Sequence, residues 1–178
     1  MAIELTEALK SEVLKPAEEL CAGNPHFRLI PMENWHLTLH FFGSLDGEQL
    51  EKVKKSLKDG VQNTPLFSIG LKDFGVFPAK RAPQVLWIGV KGDRDCLTQL
   101  KRRLDDAIAA MGFPVEERKF HPHLTIARAR DNRNKKEISG TFAFTGRIRE
   151  PINHLTLFRS DLGRGGSKYT VLDRLFLK

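Results

Sequence analysis

At 178 residues, with 40% apolar and 29% charged side chains, the chain is long enough for one full hydrophobic core. No run approaches the ~18 apolar residues of a membrane span, and Met1-Ala2-Ile3-Glu4-Leu5 lacks the basic and apolar regions of a signal peptide, so a cytoplasmic protein without membrane contact is expected. The net charge of +7 is uneven: residues 118–178 carry 14 Lys+Arg against 5 Asp+Glu while residues 1–117 carry 15 against 17, which points to an anionic partner met mainly by the C-terminal third.

Ala2 to Leu5 reads as a short strand, followed by a helix from about Thr6 to Cys21 with Leu9, Val13, Leu14 and Leu20 on its apolar side and Pro16 bending or splitting it. Cys21 and Cys96 fall in helical patterns without metal-ligand spacing and are read as reduced packing residues. Phe27 to Ile30 is a strand, Pro31-Met32-Glu33-Asn34 a turn, and Trp35 to Phe42 a strand ended by Gly43. Asp46 caps a helix reaching about Lys58, with Lys52, Lys54, Lys55 and Lys58 on its wet face. Leu66 to Phe77 and Gln84 to Val90 are strands joined by the turn Pro78 to Pro83. Asp93 then caps a helix with Leu97, Leu100, Leu104, Ile108 and Met111 at helical spacing, and Gly112 follows its end. Phe120 to Arg128 alternates as a half-buried strand and leads into a charged loop running to Lys136. Strands at about 138–149, 152–159 and 169–177 follow, the last two connected by Gly163 to Ser167.

Chance predicts about 0.3 His-x-Thr triplets in a chain of this composition. There are three, at His36/Thr38, His123/Thr125 and His154/Thr156. Residues i and i+2 of a strand share a face, so each triplet sets an imidazole beside a hydroxyl. The first two share their upstream context, a helix, Gly-x-Pro and a short strand: Gly23 lies 13 residues before His36, and Gly112 lies 11 before His123. This is an internal repeat. His154 has a strand before it instead, so it is set aside as an accidental match.

Three helices and many strands joined by tight turns predict an α+β fold with mainly antiparallel pairing. The repeat predicts one domain over 1–178, bilobal, with two pseudo-symmetric lobes and outer helices around a central cleft to which each lobe gives one triplet strand. Two imidazoles facing each other can work as acid and base near neutrality without a metal, and the hydroxyls can hold an anion's oxygens. That combination suits phosphodiester cleavage. No Asp or Glu lies within either triplet strand, and the expected cofactor and metal are none.

His36-Leu37-Thr38-Leu39 and His123-Leu124-Thr125-Ile126 resemble the paired motifs of the two-histidine (2H) phosphoesterase superfamily, in its branch of RNA 2',3'-cyclic phosphodiesterases, also called 2'-5' RNA ligases. Asn34 to Gly43 is similar to the family's first motif, Phe120 to His123 to the lead into its second, and Leu157 to Ser160 with Gly163, Tyr169 and Leu172 to its C-terminal hairpin. Family members usually open with a longer apolar strand than Ala2 to Leu5. The resemblance implies metal-independent hydrolysis of a terminal 2',3'-cyclic phosphate on RNA, or of cyclic nucleotides, to a 2'-phosphate; a monomer is expected. It makes His36 the proton donor, His123 the proton acceptor, and Thr38 and Thr125 the phosphate ligands. Family contacts after each motif map to Phe41 or Phe42 and to Arg128. Strict alternation puts Phe41 and Arg128 on the wrong face, so each needs a bulge or a strand end to reach the cleft.

Two other classes compete. An RNA-binding module would need aromatic residues interleaved with cations on one face, and Phe142, Phe144, Phe158 and Tyr169 read as core. ATP-dependent ligation lacks a nucleotide loop in this sequence, whereas ATP-independent 2'-5' ligation by reversal of the hydrolysis stays open.

Overall fold

Ala2–Glu4 (β1) runs through the middle of a sheet of ten strands among the described residues, and the chain leaves it through Thr6. The Thr6 hydroxyl accepts the Leu9 N–H and so caps the helix Glu7–Ala22 (α1), while its own N–H and O–H both donate to the Glu150 carboxylate. The computed structural model describes residues 1–62, 64–79, 83–130, 141–163 and 166–178. Lys80 and Arg81 of the proline turn, Arg133, Lys135 and Lys136 of the charged loop, and Arg164 and Gly165 of the glycine turn lie outside the described residues.

After α1 come Phe27–Leu29 (β2), a 3-10 turn at Met32–Asn34, His36–Thr38 (β3) and the helix Gly47–Val61 (α2). Phe67–Phe77 (β4) and Val85–Gly92 (β5) form a hairpin, followed by the helix Arg94–Ala110 (α3) and His123–Ala129 (β6). Phe142–Thr145 (β7), Glu150–Ile152 (β8) and a long hairpin of His154–Gly163 (β9) and Gly166–Phe176 (β10) complete the chain. The strand order is β10-β9-β1-β3-β6-β5-β4-β7, with β2 on β6 and β8 on β4, and every pairing is antiparallel. This is the α+β fold expected from the sequence. Helices α2 and α3 pack on each other, α2 also against β10 and α3 against β4. Ile3, Leu37, Leu124 and Ile126 on the strands meet Leu9, Leu57, Leu97 and Leu104 on the helices in one fully buried core.

Four local expectations are corrected. Helix α1 runs through Pro16 as one element, because Leu9, Val13 and Ala17 form a fully buried row that anchors it on both sides of the proline. The first triplet strand spans three residues rather than eight: the Leu39 and His40 N–H groups both turn to the Met1 carbonyl, at 2.9 and 3.1 Å, and leave the ladder. Asp93 precedes α3 without capping it, since its carboxylate accepts the Ser68 N–H at 2.7 Å and ties the helix start to β4. The single strand expected at 138–149 breaks after Thr145. There the Glu12 carboxylate of α1 takes the Arg147 and Ile148 N–H groups, and a Cβ on Gly146 would lie 2.7 Å from Glu12 Oε2.

Candidate active site

The two repeated triplets meet at one ladder pair, Leu37 opposite Leu124, where β3 joins β6. Both leucines are fully buried, so the residues flanking them emerge on the opposite face of the sheet. Continuing that register sets His36 across from Thr125 and Thr38 across from His123. The two imidazoles are thereby diagonal neighbours, with Cα atoms about 7–8 Å apart, close enough to work on one phosphorus. The arrangement has local two-fold symmetry, a geometric counterpart of the repeat in the sequence.

Each imidazole is aimed by the same device. His123 Nδ1–H donates to the His121 carbonyl at 2.7 Å, which leaves Nε2 as the pole that can exchange a proton. His36 is likewise hydrogen-bonded to the backbone of Asn34, two residues earlier. The Asn34 side chain donates to the Ser167 carbonyl at 3.1 Å and fastens this turn to β10. Burial pushes the His36 pKa down to about 4, against the upward pull of the Asn34 hydrogen bond. Burial also lowers that of His123, with the His121 carbonyl pulling the other way. Both rings therefore favour the neutral form at pH 7.

Aromatic rings wall both imidazoles. Tyr169 lies edge-on to His36 at 4.7 Å between centroids and Phe158 at 5.7 Å. Phe77 and Trp87 flank His123 at 5.2 and 6.2 Å, and Trp87 also meets His121 at 4.8 Å. Phe158 and Tyr169, read as core from the sequence, therefore border the site instead. The Trp87 indole lies over the backbone of Gly75, where a Cβ would fall 2.2–2.7 Å from three of its ring atoms. Glycine is required here for close approach.

A cleft of about 500 Å³ opens on this face, lined by His36, Thr38 and Thr125 and, toward one end, by Arg28, Arg128 and Arg130. Among the described residues, no carboxylate lines it. Arg28 of β2 stands directly opposite Arg128 of β6, a like-charge cross-strand pair that is unfavourable unless an anion sits nearby. Arg128 reaches the cleft through a bulge. Leu86 pairs with Ala127 but Trp87 pairs with Thr125, so Ile126 has no partner of its own; Ile126 and Ala127 are both buried in succession and the alternation shifts by one. Phe41 and Phe42 line no part of the cleft. Phe41 is 77% exposed, and Phe42 packs against His40 and Phe113 at 4.4 and 5.7 Å, because the chain has left the β3 ladder before either residue. The third triplet is also away from the cleft: Thr156 is fully buried and donates to Glu4, and His154 lies 2.7 Å from Asn153 Oδ1.

Sequence reasoning missed Arg28, Trp87 and Asn34. The alternation of Phe27 and Arg28 could have marked Arg28 as outward, but its place at the cleft comes from pairing with a strand a hundred residues later.

The profile of the 2'-5' RNA ligase superfamily matches residues 12–164. An RNA 2',3'-cyclic phosphodiesterase of Thermotoga maritima is 31% identical over 172 residues, covering 97% of this chain and 91% of the relative. One of Methanothermobacter thermautotrophicus is 29% identical over 178 residues, covering 97% and 95%. The crystal structure of Escherichia coli LigT in its apo form superposes with a TM-score of 0.78 at 27% identity, covering 99% of this chain and 94% of that one.

Proposed function

The chain belongs to the 2'-5' RNA ligase superfamily, and from that premise we propose that it is a metal-independent cyclic phosphodiesterase that opens the terminal 2',3'-cyclic phosphate of RNA to a 2'-phosphate. Water attacks phosphorus as His123 Nε2 takes its proton, and the P–O3' bond breaks as His36 gives a proton to the departing oxygen. The Thr38 and Thr125 hydroxyls donate to the two non-bridging oxygens, where charge builds. The observation that carries this reading is the diagonal pairing of the two triplets about Leu37 and Leu124. The bilobal single domain is part of the same proposal, each half supplying one triplet strand.

Arg28, Arg128 and Arg130 favour RNA over a free cyclic nucleotide, since they extend the positive wall past the two threonines. Binding several phosphates releases counterions, with a log-log slope of about −0.7 per phosphate for a single strand. KM for an oligoribonucleotide ending in a cyclic phosphate is expected to rise steeply with salt, and KM for a cyclic mononucleotide only weakly. The double variant R28Q/R130Q should flatten the first slope. Equal slopes for both substrates in the wild-type protein would remove the RNA assignment.

The direct test incubates the protein with such an oligonucleotide, a strong chelator and no ATP, then identifies the product. A 2'-phosphate formed at an undiminished rate is expected; loss of activity to the chelator, or a 3'-phosphate product, refutes the reading. Gly75→Ala probes the wall behind His123. By forcing the Trp87 indole to move, it should lower kcat about 10- to 100-fold with little change in KM, because a small misplacement of a catalytic group costs that much. An unaltered kcat in a variant whose Trp fluorescence reports a displaced indole would detach Trp87 from catalysis.

A further inference from the structure

Glu4 stands directly opposite His36 in the β1–β3 ladder, so the two side chains leave the same face of the sheet as nearest cross-strand neighbours. Both border a second hollow of about 650 Å³ beside the main cleft. Glu4 is tightly held. The Thr156 hydroxyl and Arg174 Nε donate to its Oε2, the latter at 3.1 Å, and His154 Nε2 lies 3.4 Å from the same oxygen. The register accounts for this convergence, because Thr38, Ala2, Thr156 and Arg174 are successive partners across β3, β1, β9 and β10. The third His-x-Thr triplet thus lies two strands outward, across β1, on the same sheet face as the first, and both its polar side chains turn to one carboxylate whose other neighbour is His36.

We propose that Glu4 is a positioning residue for the proton of His36: fixed by Thr156, His154 and Arg174, its carboxylate lies across the ladder from the imidazole and favours, against burial, the charged form that an acid needs. This rests on the reading of His36 as proton donor. Burial alone would push the Glu4 carboxyl up, but hydrogen bonds from Arg174, Thr156 and His154 outweigh it and keep the group ionised. Around His36 stand Glu4 from β1, the Met1 amine, Lys10 from α1 and Tyr169 from β10, with Arg128 of β6 on the same cleft, Glu33 and Lys168 at the rim of the hollow, and His123 diagonal to it across the β3–β6 pair. Lys10 and the Met1 amine oppose protonation of His36, and Glu4 is the carboxylate that favours it.

The test is an NMR titration of the His36 ring in the full chain, beside the pH profile of cyclic phosphate hydrolysis. Glu4→Gln should lower the His36 midpoint by about half a unit or more and reduce kcat/KM at neutral pH about three- to tenfold, with KM within twofold. Glu4→Asp should restore most of both. Arg174→Gln, at a half-exposed position, should lower the midpoint by loosening and partly protonating Glu4, and should do so far less when Glu4 is already Gln. A His36 midpoint unmoved in a folded Glu4→Gln protein, or an equal Arg174→Gln shift in both backgrounds, overturns the proposal. The ring titration is read without substrate. Absence of cyclic phosphate hydrolysis in the wild-type protein would sink the proposed function while leaving the Glu4–His36 coupling to be decided by its own measurement.

Discussion

His36→Ala and His123→Ala should each reduce kcat/KM for a cyclic phosphate by about 10² to 10⁴. The double variant should lose far less than the product of the two. Proton donation and acceptance belong to one displacement: without the acceptor, a perfectly placed donor has no water attack to complete, so the second deletion removes little that still functions. His154→Ala is the internal control. Its ring stands on β9, outside the β3–β6 pairing that sets His36 diagonal to His123, and its effect, passed through Glu4, should stay within about threefold. A folded His154→Ala protein as inactive as His36→Ala would mean that the first and second triplets are the wrong pair.

The second large effect is on pH. Burial lowers both imidazole pKa values, that of His36 to about 4 and that of His123 below its ordinary 6.5. A lowered pKa favours the neutral ring, so the form with one proton shared by the pair is most populated between the two values, on the acid side of 6.5. kcat/KM reports the free enzyme and should therefore peak below pH 6.5, falling about tenfold per unit above the upper value and losing about 10² by two units higher. The proposed substrate phosphodiester is an anion, and by entering between the rings it should raise both pKa values. The profile of kcat, which reports the complex, should be displaced toward alkaline pH. Superimposable profiles, or a kcat/KM maximum near pH 8, would contradict the site as described.

The sequence made the two triplets legible because strand alternation and the repeated Gly-x-Pro spacing are local properties. Helix α3 was legible for the same reason: Leu97, Leu100, Leu104 and Ile108 mark one buried face without help from the rest of the chain. What stayed hidden depends on pairing between distant segments. The capture of the Leu39 and His40 N–H groups by Met1 shortens the first strand and removes Phe41 and Phe42 from the cleft. The unpaired Ile126 that turns Arg128 inward is invisible in a sequence where Ile-Ala-Arg reads as plain alternation. Phe158 and Tyr169 were misread as core because an alternating pattern tells which face a ring takes, and cannot tell a packed interior from a hollow beside a histidine.

The strand order carries a consequence for synthesis. Apart from β2, the half of the sheet that holds His123 is built from β4 to β8, one stretch of chain, whereas the half that holds His36 joins β1 and β3 to β9 and β10. Growth from the N-terminus thus delivers His36 first and completes its surroundings last. When the nascent chain has reached residue 153, every strand beside His123 exists, but β1 still lacks the β9 neighbour whose Leu155 and Leu157 close its side of the core. Such long-range pairing is slow to form and leaves apolar edges open while it waits. The His36 side of the candidate site is thus the last part of the fold to be completed.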